Sequence, residues 1–147
     1  MATNYSGTTP RHLWIVGILS LLWNAIGAVD YTMTETGNLA YFESMGLGHE
    51  EFDFYTGLPA WAVGVWAIGV WGSVLGSILL LMRSRYAPLA FLASLIGAAI
   101  SFAYQYSLGM PESQTTGFAA VMPIVILIGI VAQWYYARRM LAAGVLR

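Results

Sequence analysis

The chain has 147 residues, of which 59% are hydrophobic and 9% charged, whereas about a quarter of residues are charged in a soluble domain. That balance excludes an ordinary soluble domain, and the lack of a basic tract speaks against a nucleic-acid partner. Cysteine is absent, so disulfides are excluded too.

Four stretches contain no Asp, Glu, Lys, Arg or His: 13–29, 57–82, 86–111 and 113–137. A helix needs about 20 residues to cross a hydrocarbon core of about 30 Å, so the last three qualify directly. The first has 17 residues and must borrow His12 on one side and Asp30 to Met33 on the other. Arg11 before this run gives it the outline of a signal peptide, yet the small residues near its end make a poor cleavage site, so a retained helix is expected.

In chain order, residues 1–10 are polar and end at Pro10, which suits a helix start. The first span is predicted over 11–33. A long outer segment, 34–58, follows. Within it Leu39, Phe42 and Met45, then Phe52 and Tyr55, recur at three-residue spacing around Gly46 and Gly48. This predicts two short amphipathic helices, apolar side down, with Glu43, Glu50, Glu51 and Asp53 toward water.

Pro59 opens the second span, 59–82. The third covers 88–108, and Gly109 to Thr116 form the second outer loop. The fourth covers 118–140, with Pro123 able to kink its outer third. Aromatic belts are expected from Trp14, Tyr86, Trp134, Tyr135 and Tyr136 on one side of the membrane. Tyr31, Trp61, Tyr104, Tyr106 and Phe118 belong to the other.

Charge orients these spans. Arg11, Arg83, Arg85, Arg138, Arg139 and Arg147 fall on one side of the apolar runs, and all seven acids fall on the other. By the positive-inside rule both termini and the Arg83/Arg85 turn are cytoplasmic. The predicted fold is therefore all-α: one polytopic domain, 1–147, of four transmembrane helices in an up-down bundle. An inner-membrane location follows if the protein is bacterial.

Two constellations stand out within the spans. Gly69, Gly72, Ser73 and Gly76 form a small-residue stripe on the second span, and Ala90, Ala93, Ser94, Gly97 and Ser101 answer it on the third. Such stripes let helices approach closely, within one chain or between copies. On the first span, Asn24, Gly27 and Tyr31 share a face. Asn24 is either a hydrogen-bonded link between helices or part of a polar pocket with Asp30, Tyr31, Tyr104 and Gln105. Asp30 itself suits the edge of the membrane, Gln133 stands near the inner end of the fourth span, and Trp66 and Trp71 are expected to pack in the core, with an outward-facing Trp against lipid, pigment or another subunit as the alternative.

Catalytic signatures are absent. His12 and His49 lie on opposite sides of the membrane, so they cannot share a metal, and there is no nucleophile elbow, phosphate loop or His-x-x-x-His. Neither enzyme activity nor a cofactor is expected. A lipid- or quinone-directed enzyme ranks last because no acid–base pair is present.

The run Leu22-Trp23-Asn24-Ala25-Ile26-Gly27-Ala28-Val29-Asp30-Tyr31-Thr32-Met33-Thr34, with Pro59-Ala60-Trp61 and Trp66-Ala67-Ile68-Gly69-Val70-Trp71-Gly72, resembles a group of short four-helix inner-membrane proteins of proteobacteria. These are often labelled automatically as sugar transporters. The resemblance extends over nearly the whole chain and implies solute transport, without assigning binding residues. Two expectations stand: a non-catalytic membrane protein acting by helix association, as a homo-oligomer or a subunit of a larger complex, or a small-solute transporter working as an oligomer. Expected partners are lipids, further integral membrane subunits or copies of itself, and, for transport, a small solute.

Overall fold

A computed structural model describes residues 8–147, so residues 1–7, most of the polar lead-in, lie outside the described residues. The elements are α1 (Arg11–Glu35), α2 (Leu39–Ser44), α3 (His49–Thr56), α4 (Ala60–Leu81), α5 (Ala87–Ser107), α6 (Glu112–Thr115) and α7 (Gly117–Ala142). The fold is all-α, and α1, α4, α5 and α7 are long and apolar enough to cross a membrane. They match the four expected spans with ends displaced by at most two residues. The added element is α6, in a segment read from sequence as loop.

Proline sets two of the starts. Pro10 and Pro59 take extended conformations immediately before α1 and α4, where their missing N–H costs no helical bond. Asn38 begins α2 by accepting the Tyr41 N–H at 3.1 Å, and Glu51 Oε2 begins α3 by accepting the Gly48 N–H at 2.8 Å. Both side chains satisfy donors that a helix N-terminus leaves orphaned.

Two helices at the arginine end finish differently. After α7, Gly144 takes φ +73, and the amides of Gly144 and Val145 close back on the carbonyls of Leu141 and Met140. After α4 the same closure is made by Arg83 and Ser84 on Leu80 and Leu79, with Arg83, not glycine, at φ +55. A side chain in that left-handed region costs about 1–2 kcal/mol. The chain offsets the cost locally: Arg147 N–H donates to the Arg83 carbonyl at 2.8 Å, Arg85 N–H donates to the Arg147 carbonyl at 3.0 Å, and Arg83 donates to the Thr9 hydroxyl at 2.6 Å. Residues 9 and 147 are thus joined to the same turn.

The C-terminal segment also seals this end of the bundle. Val145 and Leu146 are buried with Leu13, Leu80, Ala87, Phe91, Ala137 and Met140 in one apolar cluster. All six arginines lie at this end or beside it, and the seven acids lie with α2, α3, α6 and the far end of α1.

Neighbouring long helices pack in chain order: α1 on α4, α4 on α5, α5 on α7. The α4–α5 contact is the tightest, because the small-residue stripes meet. A Cβ on Gly69 would stand 2.9 Å from the Ala98 backbone nitrogen, and one on Gly97 would stand 2.8 Å from the Gly69 nitrogen. Gly72 faces Ser94, and Gly76 faces the Phe91 ring. Ser73 lies buried on the same helix. The Gly72/Gly76 pair is therefore used inside the chain.

Two sequence expectations need correction. Trp71 does not pack in the core: it is 48% exposed on the outside of the bundle, because the stripe of Gly69, Ser73 and Gly76 occupies the inward face. Glu51 does not face water; it is buried, with its carboxylate committed to hydrogen bonds.

Candidate functional site

Along α1 a stripe of Leu13, Gly17, Ser20, Asn24 and Ala28 is buried. Asn24 is its one amide. Its side-chain nitrogen donates toward the Ser73 carbonyl at 3.1 Å, the Ser77 hydroxyl at 2.9 Å and the Gln133 carboxamide oxygen at 3.1 Å. Two N–H groups are thus shared among three acceptors, and one side chain ties α1 to α4 and α7 together. Ser77 donates in turn to the Ser73 carbonyl at 2.9 Å, and Ser73 donates to the Val70 carbonyl at 2.8 Å. In hydrocarbon an unpaired amide or hydroxyl is costly, so the group is stable only as a set.

Ser94 and Gln105 of α5 are also paired. The Ser94 hydroxyl donates to the Gly69 carbonyl across the α4–α5 contact, and Gln105 donates to the Ser101 hydroxyl one turn back on α5 at 2.9 Å. At the arginine end, His12 Nδ1 lies 2.5 Å from the Tyr136 hydroxyl. Together with the Asn24–Gln133 bond, this makes the α1–α7 seam one bridged by side chains.

Asp30, Tyr31, Tyr104 and Gln105 are each engaged with different neighbours. Asp30 accepts the Tyr41 hydroxyl at 2.7 Å. Tyr31 packs edge-on against Trp66, with ring centroids 5.0 Å apart, and Trp66 continues to Tyr55 at 5.8 Å. Tyr104 lies against Trp61 at 4.4 Å. Asn24 belongs to the network in the interior, so among the described residues no hydrogen bond draws these five side chains into one pocket.

The acidic end has its own assembly. Phe42 packs against both Phe52 and Tyr55, and Tyr55 donates to Gln114 of α6 at 3.3 Å. Burial pushes the Tyr55 phenol up. Burial, then the hydrogen bond to Asp30, pushes Tyr41 up to about 12, so Tyr41 stays a donor throughout the neutral range. Glu35 is an exception to the pairing: its Oε1 is buried without a hydrogen-bond partner among the described residues.

Glu51 joins α3 to α6 by accepting the Ser113 hydroxyl. That bond, with backbone amides at Glu51 and Gly48, holds its carboxyl below the ordinary value of 4.5. A depressed folded-state pKa contributes stability in full above the unfolded value and loses it as pH falls through the folded value. The α3–α6 junction is therefore expected to loosen only in acid below pH 4.5, and Glu51→Gln should remove the dependence. Hydrogen-exchange protection of α3, corrected for intrinsic rates, checks this; protection that stays level through the acid titration would contradict it.

Sequence reading missed the partners of Asn24, although a signal existed. Asn24 and Gln133 are two isolated amides in otherwise apolar spans, and each lies well inside its helix. Ser73 and Ser77, by contrast, read as small packing residues, and their acceptor role depends on where α1 docks. Among the described residues, no group of three or more His, Asp or Glu side chains is placed to hold a metal. Comparison with family models, curated proteins and solved structures finds no match.

Proposed function

We propose that this is a non-catalytic protein of the bacterial inner membrane that acts by helix–helix association, as a homo-oligomer or as an accessory subunit of a larger membrane complex. The observation that carries the reading is the sparse burial of α7. Only 17% of its most apolar stretch is buried, against 39% for α5. A helix held along one neighbour and by the Asn24 link gains most from a further helix packed on its free side. The arginine end, with both termini, faces the cytoplasm in this reading because positively charged segments are retained there.

The pairing of the interior polar groups supports the same reading. Asn24, Ser94 and Gln105 have protein partners and would have to release them to hold a hydrophilic solute. A small-solute transporter, of sugars in line with the resemblance, is the alternative. Its polar contacts would come from Asp30, Tyr31 and Tyr104 at the acidic end.

Purification in mild detergent, followed by mass measurement and identification of copurifying chains, tests the proposal. A homo-oligomer or a constant heteromeric partner is the expected result. A lone single chain that also remains uncrosslinked in native membranes would overturn it. Proteoliposome uptake that depends on Asp30 would establish the alternative.

A further inference from the structure

The outward side of α1 carries an open apolar groove of about 370 Å³, lined by Leu22, Ala25, Ile26 and Val29 with Tyr41 of α2 as its far wall. Leu22, Ile26 and Asp30 follow one another at four-residue steps, so they lie in line along the helix. The groove therefore leads up to the Asp30 carboxylate. That carboxylate is exposed and is fixed in direction by the Tyr41 hydroxyl at 2.7 Å.

Depth and charge say what fits. From Arg11 to Asp30 the helix rises about 28 Å, close to one hydrocarbon thickness. With Arg11 at one boundary, the groove occupies the outer leaflet and Asp30 stands among the headgroups. Every arginine of the chain is at the opposite end, and the other acids are at this one. An anionic headgroup would bring its phosphate against the carboxylates of this end, where no arginine lies. A headgroup ending in a primary ammonium would supply the missing cation and N–H donors.

We propose that this groove is a binding site for an outer-leaflet aminophospholipid of the phosphatidylethanolamine class, its acyl chain along Leu22, Ile26 and Val29 and its ammonium on the Asp30 carboxylate. The Tyr41 hydroxyl holds one lone pair of Asp30 and aims the rest of the carboxylate at the headgroup. Trimethylated choline headgroups carry the charge without the N–H donors and rank second. Phosphatidylglycerol ranks last.

Competition among phosphatidylethanolamine, phosphatidylcholine and phosphatidylglycerol of identical acyl chains, read as retained adducts by native mass spectrometry, tests the site. An exposed charge-assisted contact predicts roughly a two- to fivefold preference for phosphatidylethanolamine over phosphatidylglycerol. Asp30→Asn should level the three lipids while keeping total retention, and Ile26→Trp should fill the groove and lower retention of all three. Tyr41→Phe keeps the groove wall and should keep the order of preference. Equal retention of the three lipids by the unaltered protein would overturn the proposal, and so would a preference that survives Asp30→Asn or a total retention that Ile26→Trp leaves unchanged. The readout is the same for a monomer and an oligomer, so its failure is distinct from failure of the association reading.

Discussion

Replacing Gly97 with alanine is expected to destabilise the bundle by about 1–3 kcal/mol, and replacing it with valine to prevent α4 and α5 from pairing in their present register. The new Cβ would stand 2.8 Å from the Gly69 nitrogen and 3.0 Å from the Val65 carbonyl oxygen. Both are backbone atoms of a regular helix, so neither can swing aside as a side chain would. Relief requires α5 to move away from α4, which also pulls the Ser94 hydroxyl from the Gly69 carbonyl. Gly64→Ala is the matched control, since a Cβ there meets nothing within 4 Å. It is expected to be neutral or to stabilise by up to about 1 kcal/mol through helix propensity. Thermal unfolding in one detergent, followed by circular dichroism, compares the two; equal midpoints would mean that α4 and α5 are not in backbone contact.

The second large effect is expected at Asn24. Asn24→Leu removes the donor that reaches Ser73, Ser77 and Gln133. Interhelical hydrogen bonds in membranes average about 0.6 kcal/mol and reach about 1.7, so the shared set should cost about 1–2 kcal/mol. The serines lose less than Gln133 does, because Ser77 keeps its bond to the Ser73 carbonyl. Gln133 faces the α1–α7 seam and loses its bond to α1. The effect should therefore fall mainly on the docking of α7. A double-mutant cycle with Gln133→Leu isolates the bond: the double variant is expected to lose less than the sum of the single ones, and strict additivity would remove the link.

These two sites show how differently parts of the molecule were legible. The Gly69–Gly97 contact was readable because close approach depends on small residues at helical spacing, which is a property of local sequence. Asn24 was readable as a polar residue needing a partner, yet its partners were not, because two other helices, α4 and α7, both distant from α1 in the chain, supply the acceptors. Trp71 illustrates the same limit from the other side. In a membrane an apolar residue is comfortable facing lipid or core, so hydrophobicity no longer tells inside from outside, and the glycine stripe decided which face α4 turned inward.

The sequence by itself determined that the chain is all-α, with four long apolar helices bounded by charge and proline and short helices in the segment between the first two. Those features follow from the length of uncharged runs and the local needs of helix ends, which do not depend on distant residues. Only the tertiary structure decided the rest: the convergence of Asn24 with Ser73, Ser77 and Gln133, the burial of Glu51 beneath Ser113, and the clasp of Arg147 on the Arg83 turn. Each joins residues separated along the chain, and the first two are selected because a polar group removed from water must find its partner wherever the packed helices place one.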